Sequence, residues 1–149
     1  VSAICTESRP LGEGRLLARA LAQAGVRVTL VADAAVGLMA RRAGLALLGA
    51  DALSPQGLVN KIGTSLVALA AQRAGTPCYA LCPSQKFLAG PLPVEPERDP
   101  AELFDQEVAN LTVLNYYFDV TPLEELTGVI TENGVLLPGR LRREVLDAT

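Results

Sequence analysis

The chain has 149 residues, half of them apolar, which is enough for one hydrophobic core and too few for two. Its formal charge is −3 and its 13 basic residues are scattered, which argues against direct binding of nucleic acid, since no stripe could neutralise a phosphate backbone. The complete lack of histidine excludes a Ser-His-Asp triad, a Cys-His pair and every histidine-containing zinc site, so acid/base work falls to carboxylates, lysine, tyrosine or cysteine.

In chain order, "VSAICTE" reads as a strand, and "GEGRLLARALAQAG" as a helix with Leu16, Leu17, Ala20, Leu21 and Ala24 at helical spacing and Gly25 as the stop. "VRVTLVAD" is a second strand ending in Asp33, "AVGLMARRAG" a short helix closed by Gly44, and "LALLGAD" a third strand ending in Asp51. "GTSLVALAAQRAG" follows as a helix with Leu66, Leu69 and Ala70 on its inner face, then "TPCYALCP" as a fourth strand. From "GPLPVEPERDPAELFDQE" the rhythm breaks into a Pro- and acid-rich exposed loop. The chain returns through "NYYFDV", a helix starting near Pro122, a strand near "GVIT" and a terminal helix over "RLRREVLD".

This alternation predicts an α/β fold, a Rossmann-like doubly wound, mostly parallel sheet with helices on both faces, because the strands are near-continuously apolar rather than alternating. In such folds ligands gather beyond the carboxyl ends of the strands, which places "ESRPLGEG", "VADAA", "GADALSPQGLVNK" and "CPSQKFLAG" on one rim. No dinucleotide fingerprint is present, since Leu17 stands where G-x-G-x-x-G needs its third glycine, and Lys61 precedes Gly63 rather than following a P-loop glycine. No organic cofactor or metal is expected. Cys5, Cys78 and Cys82 are an odd set suited to a reducing compartment, with Cys78 and Cys82 on one face of a strand as buried thiols. No apolar run approaches the roughly 18 residues needed to span a bilayer, and a cytoplasmic protein without a membrane partner is expected. Because the chain opens at Val1 directly on a strand, something upstream is expected to be missing.

Three rim residues stand out. Asp51, if half removed from water at the end of a buried strand, could act as acid or base, or could merely cap the turn that follows. Lys61 precedes a helix N-terminus and adds a full charge to a position that already attracts anions, or it is a solvated lysine beside a Thr64 or Ser65 cap. Lys86 is a second cation on the same predicted rim, and the three together point to a small anionic ligand.

Taken as an ordered set, "ESRP", "GAD" followed by "GLVNKIGTS", "KF", "FDVTP" and "ITENG" resemble the C-terminal domain of the initiation factor 2B family, over nearly the whole chain. That family includes regulatory subunits of the nucleotide exchange factor and two sugar-phosphate isomerases, acting on methylthioribose 1-phosphate and ribose 1,5-bisphosphate. Ala52 after Asp51 and the short "SPQGL" loop depart from the methylthioribose pattern, whereas "GADAL", "NKIGTS" and "SQKF" resemble the bisphosphate branch. The resemblance implies Asp51 as catalytic acid and Asn60, Lys61 and Lys86 as substrate contacts, with a phosphorylated sugar as ligand and a homo-oligomer as the assembly. It also implies a catalytic cysteine and an N-terminal helical region upstream of "ESRP", neither of which these residues supply; Cys5 lies too close to that segment to be the cysteine. The reaction implied is ribose 1,5-bisphosphate to ribulose 1,5-bisphosphate. The alternatives are a non-catalytic factor-like subunit that binds protein partners and a sugar-phosphate or nucleotide effector, or an oligomerisation domain with no phosphosugar affinity. Tyr116, Tyr117 and Phe118 are expected either at a subunit contact or in the core.

Overall fold

A computed structural model describes residues 1–92 and 95–147. In chain order the elements are β1 (Ser2–Thr6), α1 (Glu13–Gln23), β2 (Arg27–Val31), α2 (Val36–Ala40), β3 (Ala46–Leu48), β4 (Ala52–Ser54) and β5 (Gly57–Lys61). They continue with α3 (Thr64–Ala74), β6 (Cys78–Leu81), β7 (Phe118–Thr121), β8 (Gly128–Thr131), β9 (Gly134–Leu136) and α4 (Pro138–Asp147). β1 pairs with β2 in parallel, β3–β6–β8 form a parallel run extended by antiparallel β9, and β4–β5–β7 form a separate antiparallel sheet. The fold is therefore mixed α/β, with as many antiparallel as parallel pairings among the described residues.

The antiparallel sheet differs from the expected rim loop. "ALSPQGLVNK" doubles back through Pro55 and Gln56 so that Ala52 pairs with Val59 and Ser54 with Gly57. The Ser54 hydroxyl closes this turn by accepting the Gln56 amide at 3.0 Å. β7 then adds to the outer side of β5, with Asn60 opposite Asp119 and Lys61 opposite Phe118. A period-two reading of "LSPQGLV" is masked by its central Pro-Gln-Gly, which is why the segment reads as a loop in the sequence.

Fully buried Leu53, Leu58, Ala68, Ala71, Ala80 and Val129 centre the main core, which α4 completes with Leu141 and Val145. Each buried leucine contributes roughly 1.5–3 kcal/mol relative to exposure. The inner face of α3 is built from Thr64, Ala68 and Ala71, whereas Leu66 and Leu69 are half exposed, contrary to the leucine-inward expectation. The reason is distance: small side chains let α3 lie close against the strands, and the leucines point away. The same inversion occurs in α1, where Ala18 is buried and Leu16 and Leu17 are exposed. Nor are both faces of every strand covered, because Ile4, Leu30, Leu47 and Leu81 remain 40 to 50% exposed.

Two other elements end earlier than the sequence indicates. β3 stops at Leu48 rather than Asp51, and Pro122 opens a single 3-10 turn, Leu123–Glu125, instead of a helix. The Pro- and acid-rich excursion contains one short 3-10 turn, Pro100–Glu102, capped by Asp99 and otherwise irregular; its positions 93 and 94 lie outside the described residues. No helix among the described residues is long and apolar enough to cross a membrane.

Candidate functional site

The four expected rim segments are tied to one another. Asp33, at the end of β2, accepts the Ser8 and Arg9 amides at 2.8 Å each, which fixes "ESRP" against the second segment. Lys61, the last residue of β5, reaches across to the first turn of α1, where its Nζ lies 2.6 Å from Oε1 of Glu13. Lys86, in the 3-10 turn after β6, donates from its Nζ to the carbonyl of Ala50, the residue before Asp51. The Asp51 amide donates to the Val59 carbonyl at 2.9 Å, which places Asp51 beside the residue that precedes Asn60. These contacts link the loops and the hairpin pairwise, Asp33 to Ser8 and Arg9, Lys61 to Glu13, and Lys86 to Ala50.

Each predicted residue has a distinct environment. Asp51 is exposed rather than half buried, so its side chain meets water before any ligand arrives. The Asn60 amide nitrogen donates to the Thr64 hydroxyl at 2.9 Å, and that hydroxyl donates to the Lys61 carbonyl at 2.6 Å, locking the turn between β5 and α3. The Lys61 side chain is only 17% exposed and its ammonium also lies 4.7 Å from the centre of the Tyr117 ring, within cation–π range. Asn60, Lys61 and Glu13 border a cavity of about 440 Å³ that runs between β1 and β3 and has Ile4, Leu17, Leu47 and Leu66 on its apolar walls. Asp51 borders a second hollow of about 390 Å³ with Glu95, Arg98, Phe118 and Asp119.

The N-terminus of α3 does not stand open for a phosphate. Asp119 of β7 already occupies it, accepting the Gly63 amide at 2.8 Å and the Ser65 amide at 3.3 Å. Burial lifts the Asp119 carboxyl above its ordinary value, against the opposing pull of those two amides. The α3 amides next to Lys61 are therefore already engaged. The signal for Asp119 was present in "FDVTP", but a single Asp in a strand does not reveal which helix it will cap.

Glu13 escaped the sequence reading, and Tyr117 is expected there only as a subunit-contact or core residue. Glu13 is half exposed in the first turn of α1, where a carboxylate suits the helix dipole, and only the folded structure brings it to a lysine 48 positions away. Tyr117 donates its hydroxyl to Glu102 and carries Lys61 and the Arg98 guanidinium, the latter 4.6 Å from its ring centre. The bond to Glu102, with burial adding to it, raises the Tyr117 hydroxyl above its usual value.

All three cysteines are buried and unpaired, and burial raises each thiol, with Cys78 and Cys82 pushed up to about 11. Neither thiol is a ready nucleophile at neutral pH. An unfolded thiol ionises near about 8.5, so between there and 11 the unfolded chain loses protons that the folded chain keeps, and stability falls as pH rises. The urea midpoint is accordingly expected to drop more steeply from pH 8.5 to 11 in the parent protein than in a Cys78→Ala, Cys82→Ala variant; parallel pH profiles would contradict this. No cluster of metal-ligating side chains occurs among the described residues.

Comparison with known proteins assigns this architecture to a family. Residues 1–138 match the model of the Initiation factor 2 subunit family. The chain is 41% identical to a ribose 1,5-bisphosphate isomerase of Archaeoglobus fulgidus, covering 93% of the chain and 46% of that protein. It is 37% identical to the ribose 1,5-bisphosphate isomerase of Methanocaldococcus jannaschii, covering 93% of the chain and 47% of that protein. Among solved structures it superposes with a TM-score of 0.87 at 33% identity on the translation initiation factor eIF-2B subunit delta from A. fulgidus, covering 98% of the chain and 47% of that structure. The chain spans a little under half the length of each of these relatives. With the ordered motifs, the rim they form and these matches in agreement, the chain belongs to the Initiation factor 2 subunit family.

Proposed function

We propose that these residues carry the sugar-binding half of an aldose–ketose isomerase that converts ribose 1,5-bisphosphate to ribulose 1,5-bisphosphate. The observation that carries this reading is that Asn60 and Lys61 border one cavity, while hydrogen bonds from Lys86 to Ala50 and from Asp51 to Val59 hold the Asp51 turn beside the same strand. Support also comes from relatives at 37 to 41% identity that bear the name of that enzyme. The doubly wound Rossmann-like arrangement is part of the same proposal: β1 and β3 flank one cavity, and each belongs to a parallel pairing.

The substrate chemistry sets the roles. Phosphate on C1 prevents the ring from opening as a free aldose does, so opening needs a proton delivered to the ring oxygen. The hydrogen on C2 then moves to C1 and the C2 hydroxyl loses its proton, leaving the ketone. Asp51, whose side chain is exposed, exchanges the oxygen-bound protons. Lys61 and Lys86 offset phosphate charge, and Asn60, held by Thr64, fixes a sugar hydroxyl. A thiol from outside these residues handles the carbon-bound hydrogen, since Cys5, Cys78 and Cys82 are buried with raised thiols. No cofactor enters the scheme.

The test is phosphorus NMR of the full-length protein incubated with ribose 1,5-bisphosphate. Appearance of ribulose 1,5-bisphosphate signals is the expected result. An unchanged spectrum would remove this substrate and leave the non-catalytic subunit, which the superposition on the eIF-2B delta subunit supports, as the leading account. The reading also carries a homo-oligomer with half-buried Tyr116, Tyr117 and Phe118 near the contact, so sedimentation at micromolar concentration is expected to give a dimer or larger species, and a monomer would contradict that assembly.

A further inference from the structure

The charged side chains lining the 440 Å³ cavity are Glu13, Asp33 and Lys61. Asp33 is committed to the Ser8 and Arg9 amides, and Lys61 is committed to Glu13. With Glu13 in place the wall carries one more negative than positive charge, and a phosphate dianion approaching Lys61 would meet a carboxylate already 2.6 Å from the ammonium. The two partners are unequal: the Lys61 side chain is 17% exposed and is held over Tyr117, whereas Glu13 is 47% exposed and sits on the first turn of a helix, free to rotate into water.

We infer that Glu13 is an internal counter-ion that a phosphorylated ligand must displace from Lys61, so that the pair sets the charge threshold for entry to the site. Lys61 is fixed and Glu13 is the mobile partner. A dianion offers the ammonium more charge than a single carboxylate does, while a neutral sugar or a weak monoanion does not, and the ammonium keeps a counter-ion before and after the exchange. The empty cavity is thereby kept from holding an uncompensated, mostly buried lysine. This inference rests on the proposed role of Lys61 as an anion contact, and it identifies a specificity-determining residue in "GEG" that the substrate contacts alone leave out.

The probe is inorganic phosphate, titrated calorimetrically into the full-length protein and its Glu13→Gln and Lys61→Met variants. Glu13→Gln is expected to bind phosphate about fivefold more tightly than the parent protein, and Lys61→Met to lose the binding. A structural role for Glu13 would not produce tighter binding. Affinity that is unchanged, weaker or absent in Glu13→Gln overturns the inference, as does parent-like binding by Lys61→Met. Should Glu13→Gln fail to fold, Glu13→Asp keeps the charge at the start of α1 but draws it back from Lys61; tighter phosphate binding there supports the inference, and unchanged or weaker binding overturns it. Turnover of ribose 1,5-bisphosphate by the parent protein separates the two failures. An active isomerase with unaltered phosphate affinity in Glu13→Gln removes only the counter-ion, whereas an inactive protein with tightened affinity removes only the isomerase.

Discussion

Replacing Gly14 by alanine is expected to destabilise the protein by about 3 kcal/mol or more. A Cβ at that position would stand 1.9 Å from the Thr6 carbonyl oxygen and 3.0 Å from the Thr6 and Glu7 carbonyl carbons. Those atoms are backbone at the end of β1, where Thr6 is in register with Val31 and the Glu7 amide donates to the Val31 carbonyl at 2.9 Å. They cannot retreat without opening the β1–β2 pairing, so α1 must lift away, taking Glu13 from Lys61. Gly37→Ala is the control, because Gly37 is also helical and nothing lies within 4 Å of its added Cβ. There the change is expected to be neutral or stabilising by about 0.5–1 kcal/mol. Urea denaturation of both variants decides the matter, and equal midpoints would show that α1 does not dock on β1 at this distance.

Asp51→Asn is expected to lower kcat of the full-length protein on ribose 1,5-bisphosphate by about a hundred- to ten-thousand-fold, the range for loss of a positioned acid or base, with KM little changed. Asp51 is exposed and its side chain makes no hydrogen bond among the described residues, so the substitution removes an acid/base group without removing a structural tie. The neighbouring carboxylate behaves differently. Asp119 holds the Gly63 and Ser65 amides, and its removal would disturb the turn that carries Asn60 and Lys61. A loss of folding stability in Asp51→Asn, or kcat within a fewfold of the parent protein, would place the proton transfer on another group.

The residues that were legible in the sequence are those whose meaning is local. Cys78 and Cys82 fall on one buried face because two-residue periodicity survives in "CYALC", and "GVIT" and "VRVTLV" form the parallel strands their apolar runs indicate. The order of "ESRP", "GAD", "NK", "KF" and "FDVTP" was enough to reach the family, and the tie of the loop after β6 to the loop after β3, through Lys86 and Ala50, follows from the rule that loops after parallel strands share one edge. What stayed hidden depends on long-range contact. The hairpin of β4 and β5 is disguised by Pro55 and Gly57, and its partner β7 lies 57 positions beyond the end of β5 by the register of Lys61 with Phe118. The inward face of α3 was misread because leucine is more apolar than alanine, whereas close approach to the sheet favours the smaller residue. Glu13 and Asp119 read as an ordinary helix-start acid and a strand residue until the fold puts one against Lys61 and the other on the α3 amides.

The most direct test of the phosphosugar site is a crystal structure of the full-length protein grown with ribulose 1,5-bisphosphate. The account predicts the ligand within hydrogen-bond distance of Asn60, Lys61 and Lys86, an oxygen of the sugar within reach of the Asp51 carboxylate, and Glu13 turned away from Lys61. Ligand bound away from the Asp51–Lys61 edge, with Lys61 still paired to Glu13, would contradict it.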